Sequence, residues 1–328
     1  MRRLRGHLPG LPPVPTTRGR LARLREERGG IAVMLALLMP ILFGAAAIGI
    51  DSAAVWSARQ QVLSGADAAV LAVASDCARG NCGDIKKTAE DAFWANDLAA
   101  KLSNLGPGEG WISTTGSSAS GRVSVTQKMP WEVNHFFAGA LGFDTGELSV
   151  QSFAGWAPLA AERVEIPLAI SYCAYAQLSG SLTSTTSIEL AETAPNAGGT
   201  CTSPTGGTVG GGISLFQADA GSCGAATERG KTYRLTHGTL SSACTSAYLG
   251  GLLNRDVAIP IWSETPGTHF KVYGYASFRV TNFSLAAGNR KLVGYFNRSV
   301  RQVDDPTAPT DTTAPDLGAR AVFLTKQS

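Results

Sequence analysis

No charge interrupts this chain from Gly29 to Ile50, and that one stretch limits the fold more than anything else in the sequence. Its apolar part, Ile31 to Ile50, is 20 residues, or about 30 Å of helix, which matches the hydrocarbon core of a bilayer. Pro40 is tolerable there, because no water competes for the freed backbone groups and neighbouring helices can satisfy them. The flanks are unequal. Residues 1–28 hold eight arginines against Glu26 and Glu27, a net of +6, which leaves −3 for the remainder of a chain that totals +3. Arg59 is the first basic residue after the run. Arginine concentrated before a membrane helix predicts a cytoplasmic N-terminus, with residues 51–328 outside. A basic tail by itself also suits nucleic acid. Directly before an apolar run it reads as a topology signal, and no nucleic-acid partner is expected.

Two rival readings of the run stay open. Ala45-Ala46-Ala47 resembles a secretory cleavage site after the apolar stretch Ile31–Phe43. Against cleavage, the apolar run continues to Ile50 and a helical pattern continues past Asp51. The other rival is the buried helix of a soluble protein, although such helices rarely lack charge for so long. Within the run, Ala45 and Gly49 form a small-xxx-small pair that would let a second helix pack closely, leaving room for homo- or hetero-oligomers through the membrane helix. Composition narrows the rest. Only 16% of residues are charged, well under the roughly 25% usual for soluble domains, which excludes a charged disordered chain and a coiled coil.

Beyond the anchor, Asp51–Ser75 reads as helix through Val55, Val62, Ala66, Ala69, Val70 and Val73. A second helix is predicted over Asp84–Leu105, capped by Asp84 and stopped at Gly106-Pro107-Gly108. The period then changes. Val123 and Val125 mark a strand, Trp131–Leu141 a short helix and Leu148–Trp156 another strand. Val164, Ile166, Leu168, Ile170 and Tyr172 alternate strictly and predict one strand, as do Val257–Ile261, Phe270–Val280 and Leu292–Phe296. Residues 176–217 carry only Glu189 and Glu192 as charges and read as a flexible Ser/Thr/Gly insertion. The expected layout is a basic cytoplasmic tail (1–28), a transmembrane helix (29–50), a helical and strand region (51–158), a β-rich disulfide-pinned region (159–303) holding that insertion, and a tail (304–328). The predicted class is α+β: the transmembrane helix continues into an outer helical segment, followed by a mainly antiparallel β-rich extracytoplasmic domain.

All six cysteines (Cys77, Cys82, Cys173, Cys201, Cys223, Cys244) follow the anchor. On an oxidising side, an even count favours disulfides. Sequential pairing is expected, with Cys77–Cys82 closing the interhelical turn and the other two pairs pinning loops. Metal binding is the rival, but no C-x-x-C pair occurs and the outer histidines His135, His237 and His269 are scattered. Neither G-x-S-x-G nor H-E-x-x-H occurs. Gly224 to Thr232 mimics a phosphate loop but places five residues between its glycines where four are needed. No catalytic residue, cofactor or metal ligand is assigned. Trp111, Trp131, Trp156 and Trp262 read as packing residues, and Tyr172, Tyr175, Tyr273 and Tyr275 as strand-face residues.

Glu27-Arg-Gly29-Gly-Ile-Ala-Val, the apolar run, Asp51, and then Arg59 to Ala72 with its Ala66-Asp67-Ala-Ala core resemble the N-terminal signature of TadE/TadG-like proteins. These belong to bacterial tight-adherence, or Flp pilus, assembly. Val123–Thr126, His135–Gly142 and Leu148–Val150 are similar to that family's strand–helix–strand segment. Pro167–Cys173 through Val257–Val280 is more loosely similar to its larger members. The resemblance makes Gly29, Asp51 and Asp67 family-motif positions and residues 51–158 a pilin-like region. It implies a non-catalytic single-pass component of the bacterial cytoplasmic (inner) membrane, with the bilayer and other pilus-assembly or secretion proteins as partners. Processed pilins carry Glu five residues beyond the cleaved Gly; Gly30 is followed by Ile31-Ala-Val-Met-Leu35, so prepilin-type processing is not expected. The alternative function is an exported cell-envelope enzyme or ligand-binding protein on the same anchor. It would gather His237 or His269 with Asp256 or Glu264.

Overall fold

The computed structural model describes residues 18–96, 111–117, 119–131, 146–180, 182–264, 266–286, 288–302 and 313–325. The chain divides into two compact units, residues 1–57 with 131–146 and residues 58–130 with 147–328. What is described of the first is almost wholly one length of helix α1 (Arg18–Ala78), which passes Pro40 without interruption.

In the second unit α1 acquires a buried stripe of Val62, Ala66, Ala69, Val70, Val73, Ala74, Cys77 and Ala78. The three-and-four spacing keeps these side chains on one face, and the alanines let the backbone lie close to the layer beneath. Gly80 reverses the chain with φ +98°, a left-handed conformation that a side chain would strain. Helix α2 (Ile85–Asn96) opens as expected on Asp84, whose carboxylate accepts from the Lys87 N–H at 3.1 Å. It buries Ala89 and Phe93. The expected continuation to Leu105, with its Gly-Pro-Gly stop, lies outside the described residues. The short helix expected over Trp131–Leu141 does not include Trp131, which ends a strand; the rest of that range also lies outside the described residues.

Strands β1 (Ile112–Gly116), β2 (Gly121–Trp131), β3 (Gly146–Pro158), β4 (Ala161–Val164) and β5 (Leu168–Ser171) lead into helix α3 (Tyr172–Leu178). Next come β6 (Ile188–Ala191), β7 (Thr200–Thr202), β8 (Thr208–Gly210), β9 (Ile213–Leu215), β10 (Ala225–Glu228), β11 (Thr232–Arg234) and helix α4 (Ser246–Gly250). The chain closes with β12 (Asp256–Trp262), β13 (His269–Lys271), β14 (Gly274–Ser284), β15 (Lys291–Asn297), β16 (Ser299–Gln302) and β17 (Ala319–Thr325).

One sheet runs β1-β2-β3-β17-β16. Its β1/β2 and β3/β17 pairs are antiparallel, and β16/β17 is parallel. Val123, Val125, Val150, Ala154, Trp156 and Val322 face the stripe of α1 and the buried side of α2. The larger sheet runs β6-β15-β14-β12-β5-β9, antiparallel except at β12/β5. Val257, Ile259 and Ile261 of β12 enter one core cluster while Ala258 and Trp262 enter another. Burial on both faces explains why that strand is apolar almost without a break. The fold is therefore α+β: a long apolar N-terminal helix, then a mainly antiparallel β-rich part with three disulfides.

Four expectations need correction. The alternating series Val164–Tyr172 is not one strand. β4 pairs with β10, while β5 pairs with β9 and β12. Ser171 then caps α3, accepting from the Ala174 N–H at 2.9 Å, so Tyr172 and Tyr175 stand on a helix. Phe270–Val280 likewise splits. β13 pairs with β11, the Val272 N–H leaves to bond Lys231 C=O at 3.0 Å, and β14 begins only at Gly274.

The insertion 176–217 carries β6 to β9, adding a strand to each edge of the larger sheet. Backbone contacts order it. The Gly211 N–H donates to Gly199 C=O at 2.8 Å and the Gly212 N–H to Ser171 Oγ at 3.0 Å. Gly212 lies so near Pro195 that any Cβ there would strike the proline carbonyl. The supposed tail 304–328 holds β17, which sits between β3 and β16 with Ala319, Arg320, Ala321 and Val322 buried.

Candidate functional site

From Ile31 to Ile50, α1 presents apolar side chains to solvent on every side. Ile31 is 59%, Leu37 68%, Phe43 67% and Ile48 70% exposed. A core helix of a soluble protein hides such residues, and an amphipathic surface helix hides one stripe of them. An apolar patch of this size requires an apolar surrounding. It is long and apolar enough to cross a membrane. Ala45 and Gly49 lie on the exposed stretch, and a Cβ added at Gly29, Gly44 or Gly49 would meet nothing within 4 Å. Asp51 is the first charge after the run and is partly buried.

Asp67 interrupts the buried stripe among alanines. Its carboxylate accepts a hydrogen bond from the hydroxyl of Ser152, a buried polar residue of β3. The Ala-Asp-Ala-Ala segment thus combines close packing with one polar tie from helix to sheet. At the end of α1, Cys77 pairs with Cys82 across the turn. Cys173 pairs with Cys201, joining α3 to β7, and Cys223 pairs with Cys244.

Sequence reasoning missed the residue that completes this junction. Arg320 of β17 is fully buried. Its Nη1 donates to Ala78 C=O at 2.7 Å, its Nε to Asp316 Oδ1 at 3.0 Å and its Nη2 to the other Asp316 oxygen. One guanidinium therefore satisfies a helix-end carbonyl and neutralises a carboxylate. The available signal was Asp316 four residues before an arginine embedded in the apolar run Ala319–Leu324.

A second polar cluster joins the two sheets. Arg301 of β16 donates to Glu165 Oε1 at 2.7 Å and to Asp256 C=O at 3.2 Å. Asp256 also accepts from Arg279 at 3.1 Å and from Asn297 at 2.8 Å. Glu162 lies nearby; burial pushes its carboxyl above the ordinary glutamate range, opposed by Arg301 and reinforced by Glu165.

Three of the four groups considered for catalysis make other contacts. Asp256 belongs to that cluster, Glu264 lies 3.9 Å from Lys271, and His269 Nδ1 is 2.9 Å from Thr268 Oγ1. Among the described residues, no three His, Cys, Asp or Glu side chains gather as a metal site. The phosphate-loop mimic lies on β10, a turn at Gly230 and the start of β11, with no helix for phosphate to cap. A polar cleft of about 320 Å³ involves Thr205, Arg229, Ser263, Glu264 and Lys271. An apolar pit lined by Ile166, Leu168, Leu215 and Leu249 lies beside the Cys223–Cys244 bridge.

Residues 29–76 match the family described as "Putative Flp pilus-assembly TadE/G-like". The match covers the exposed apolar helix and the Asp67 segment, and it supports a role in Flp/Tad pilus assembly. No curated protein and no solved structure matches the chain.

Proposed function

We propose that this protein is a non-catalytic, single-pass component of bacterial Flp/Tad-type pilus assembly or surface adherence. The N-terminus lies in the cytoplasm, Gly29–Ile50 crosses the inner membrane, and the disulfide-bonded remainder stands outside, where it contacts pilus or secretion proteins. One observation carries this reading: α1 is exposed and apolar on all sides over Ile31–Ile50, within the segment that matches the family. The +6 lead supports the orientation. Three disulfides support an oxidising side for the rest.

On this reading Gly29 and Asp51 mark the two ends of the membrane passage, and Asp67 ties the outer helix to its sheet. Ala45 and Gly49 offer the face on which a second membrane helix packs. Deleting the gene from its host should abolish or sharply reduce surface pili and adherence, and plasmid-borne wild type should restore both. Unchanged piliation and adherence in the deletion strain would overturn the proposal.

A further inference from the structure

Trp56 is 65% exposed, in the same helix as the apolar run. Three of its helical neighbours, Ser52, Ala53 and Gln60, are exposed as well. An indole is an expensive group to leave in water, and its amphipathic ring favours a place where one edge is dry and the N–H is wet. The helix supplies a scale for locating it. Ile31–Ile50 matches a hydrocarbon core, and the headgroup layer adds about 5–8 Å on each side. The Trp56 Cα lies six residues past Ile50, about 9 Å along the axis at about 1.5 Å per residue. Long helical side chains cover the turn before their own Cα, which brings the ring back roughly one turn toward the run.

We infer that Trp56 is seated in the phospholipid headgroup layer of the outer leaflet, where it fixes the depth of the helix. This inference rests on the anchor reading above. Lipid is favoured over a protein partner because the indole falls within the layer that the run itself defines. The Arg-rich lead on the opposite side supplies the matching inner stop.

The full chain and its Trp56→Phe variant would be reconstituted into phosphatidylcholine vesicles, and the difference in emission would isolate Trp56 from the other tryptophans. That component should be blue-shifted. It should also be roughly twofold dimmer with lipids brominated near the carbonyl end of the acyl chains than near the methyl end, as an interfacial indole requires. Protein that floats with vesicles but shows no bromine quenching, whether Trp56 is open to aqueous acrylamide or shielded by protein, overturns this inference alone. Protein that fails to float overturns the anchor reading and this inference together.

Discussion

The guanidinium of Arg320, in the last strand, donates to the main-chain carbonyl of Ala78, the final residue of α1, at 2.7 Å. A helix end and a strand more than 240 positions away are thereby joined by a fully buried cation whose counter-ion is Asp316. Replacing Arg320 with Met takes the cation from that carboxylate and the helix carbonyl together. Asp316 is 22% exposed and keeps the Gly318 N–H, so thermal or denaturant unfolding should show a loss of about 1–3 kcal/mol, the cost of an unsatisfied buried group. Arg320→Lys should recover little, because one ammonium cannot span the carboxylate and the carbonyl as the planar fork does. A variant as stable as wild type would show that the contact contributes nothing.

Asp67 and Ser152 form the second helix-to-sheet tie. Either Asp67→Ala or Ser152→Ala leaves a polar group with no partner at the helix–sheet interface, a cost of about 1–3 kcal/mol. The double variant should lose clearly less than the sum of the two. A double-mutant cycle with no coupling energy would mean that the hydrogen bond is energetically silent.

Glu162 sets a pH dependence with a definite sign. Its carboxyl pKa is raised in the fold, chiefly by burial, so the folded state holds this proton more tightly than the unfolded chain does. Stability from this group is therefore lost as pH rises from the ordinary glutamate range through the raised value. Glu162→Gln should leave acidic stability unchanged and raise the melting temperature at neutral pH. A variant less stable than wild type at neutral pH would mean that attraction to Arg301 outweighs the cost of burial.

The Cys173–Cys201 bridge, with a sequence separation of 28, closes a loop that takes in the first part of the Gly-rich insertion. Replacing both cysteines with serine should cost about 2–4 kcal/mol, since the open loop gains entropy when unfolded. Limited proteolysis should then cut first between residues 176 and 217. Cleavage elsewhere, with this segment still protected, would show that its backbone hydrogen bonds hold without the bridge.

Legibility in the sequence followed the type of force at each place. The charge-free run, the Asp84 cap, the stripe Val62–Val73 and strands β12 and β15 rest on local composition, capping chemistry or periodicity, and the structure places them where the residues indicate. The alternating series through Ser171 misled because strand alternation cannot show where a hydroxyl turns from pairing to capping. The insertion looked structureless because glycine main chains and a disulfide order it, leaving no side-chain pattern to read. β17 was hidden behind a proline-rich stretch. Arg320 looked like any surface arginine until a partner far away in sequence came beside it. Such pairings are set by topology, which periodicity does not encode.

The central claim is that one helix anchors a chain whose disulfide-bonded part lies outside the cytoplasm. Alkaline phosphatase, which works only after export to an oxidising compartment, fused after Ser328 tests it most directly. The fusion should be enzymatically active and should sediment with the inner membrane at full length. Activity confined to a cytoplasmic reporter at the same position, or release of a shortened soluble chain, would contradict it.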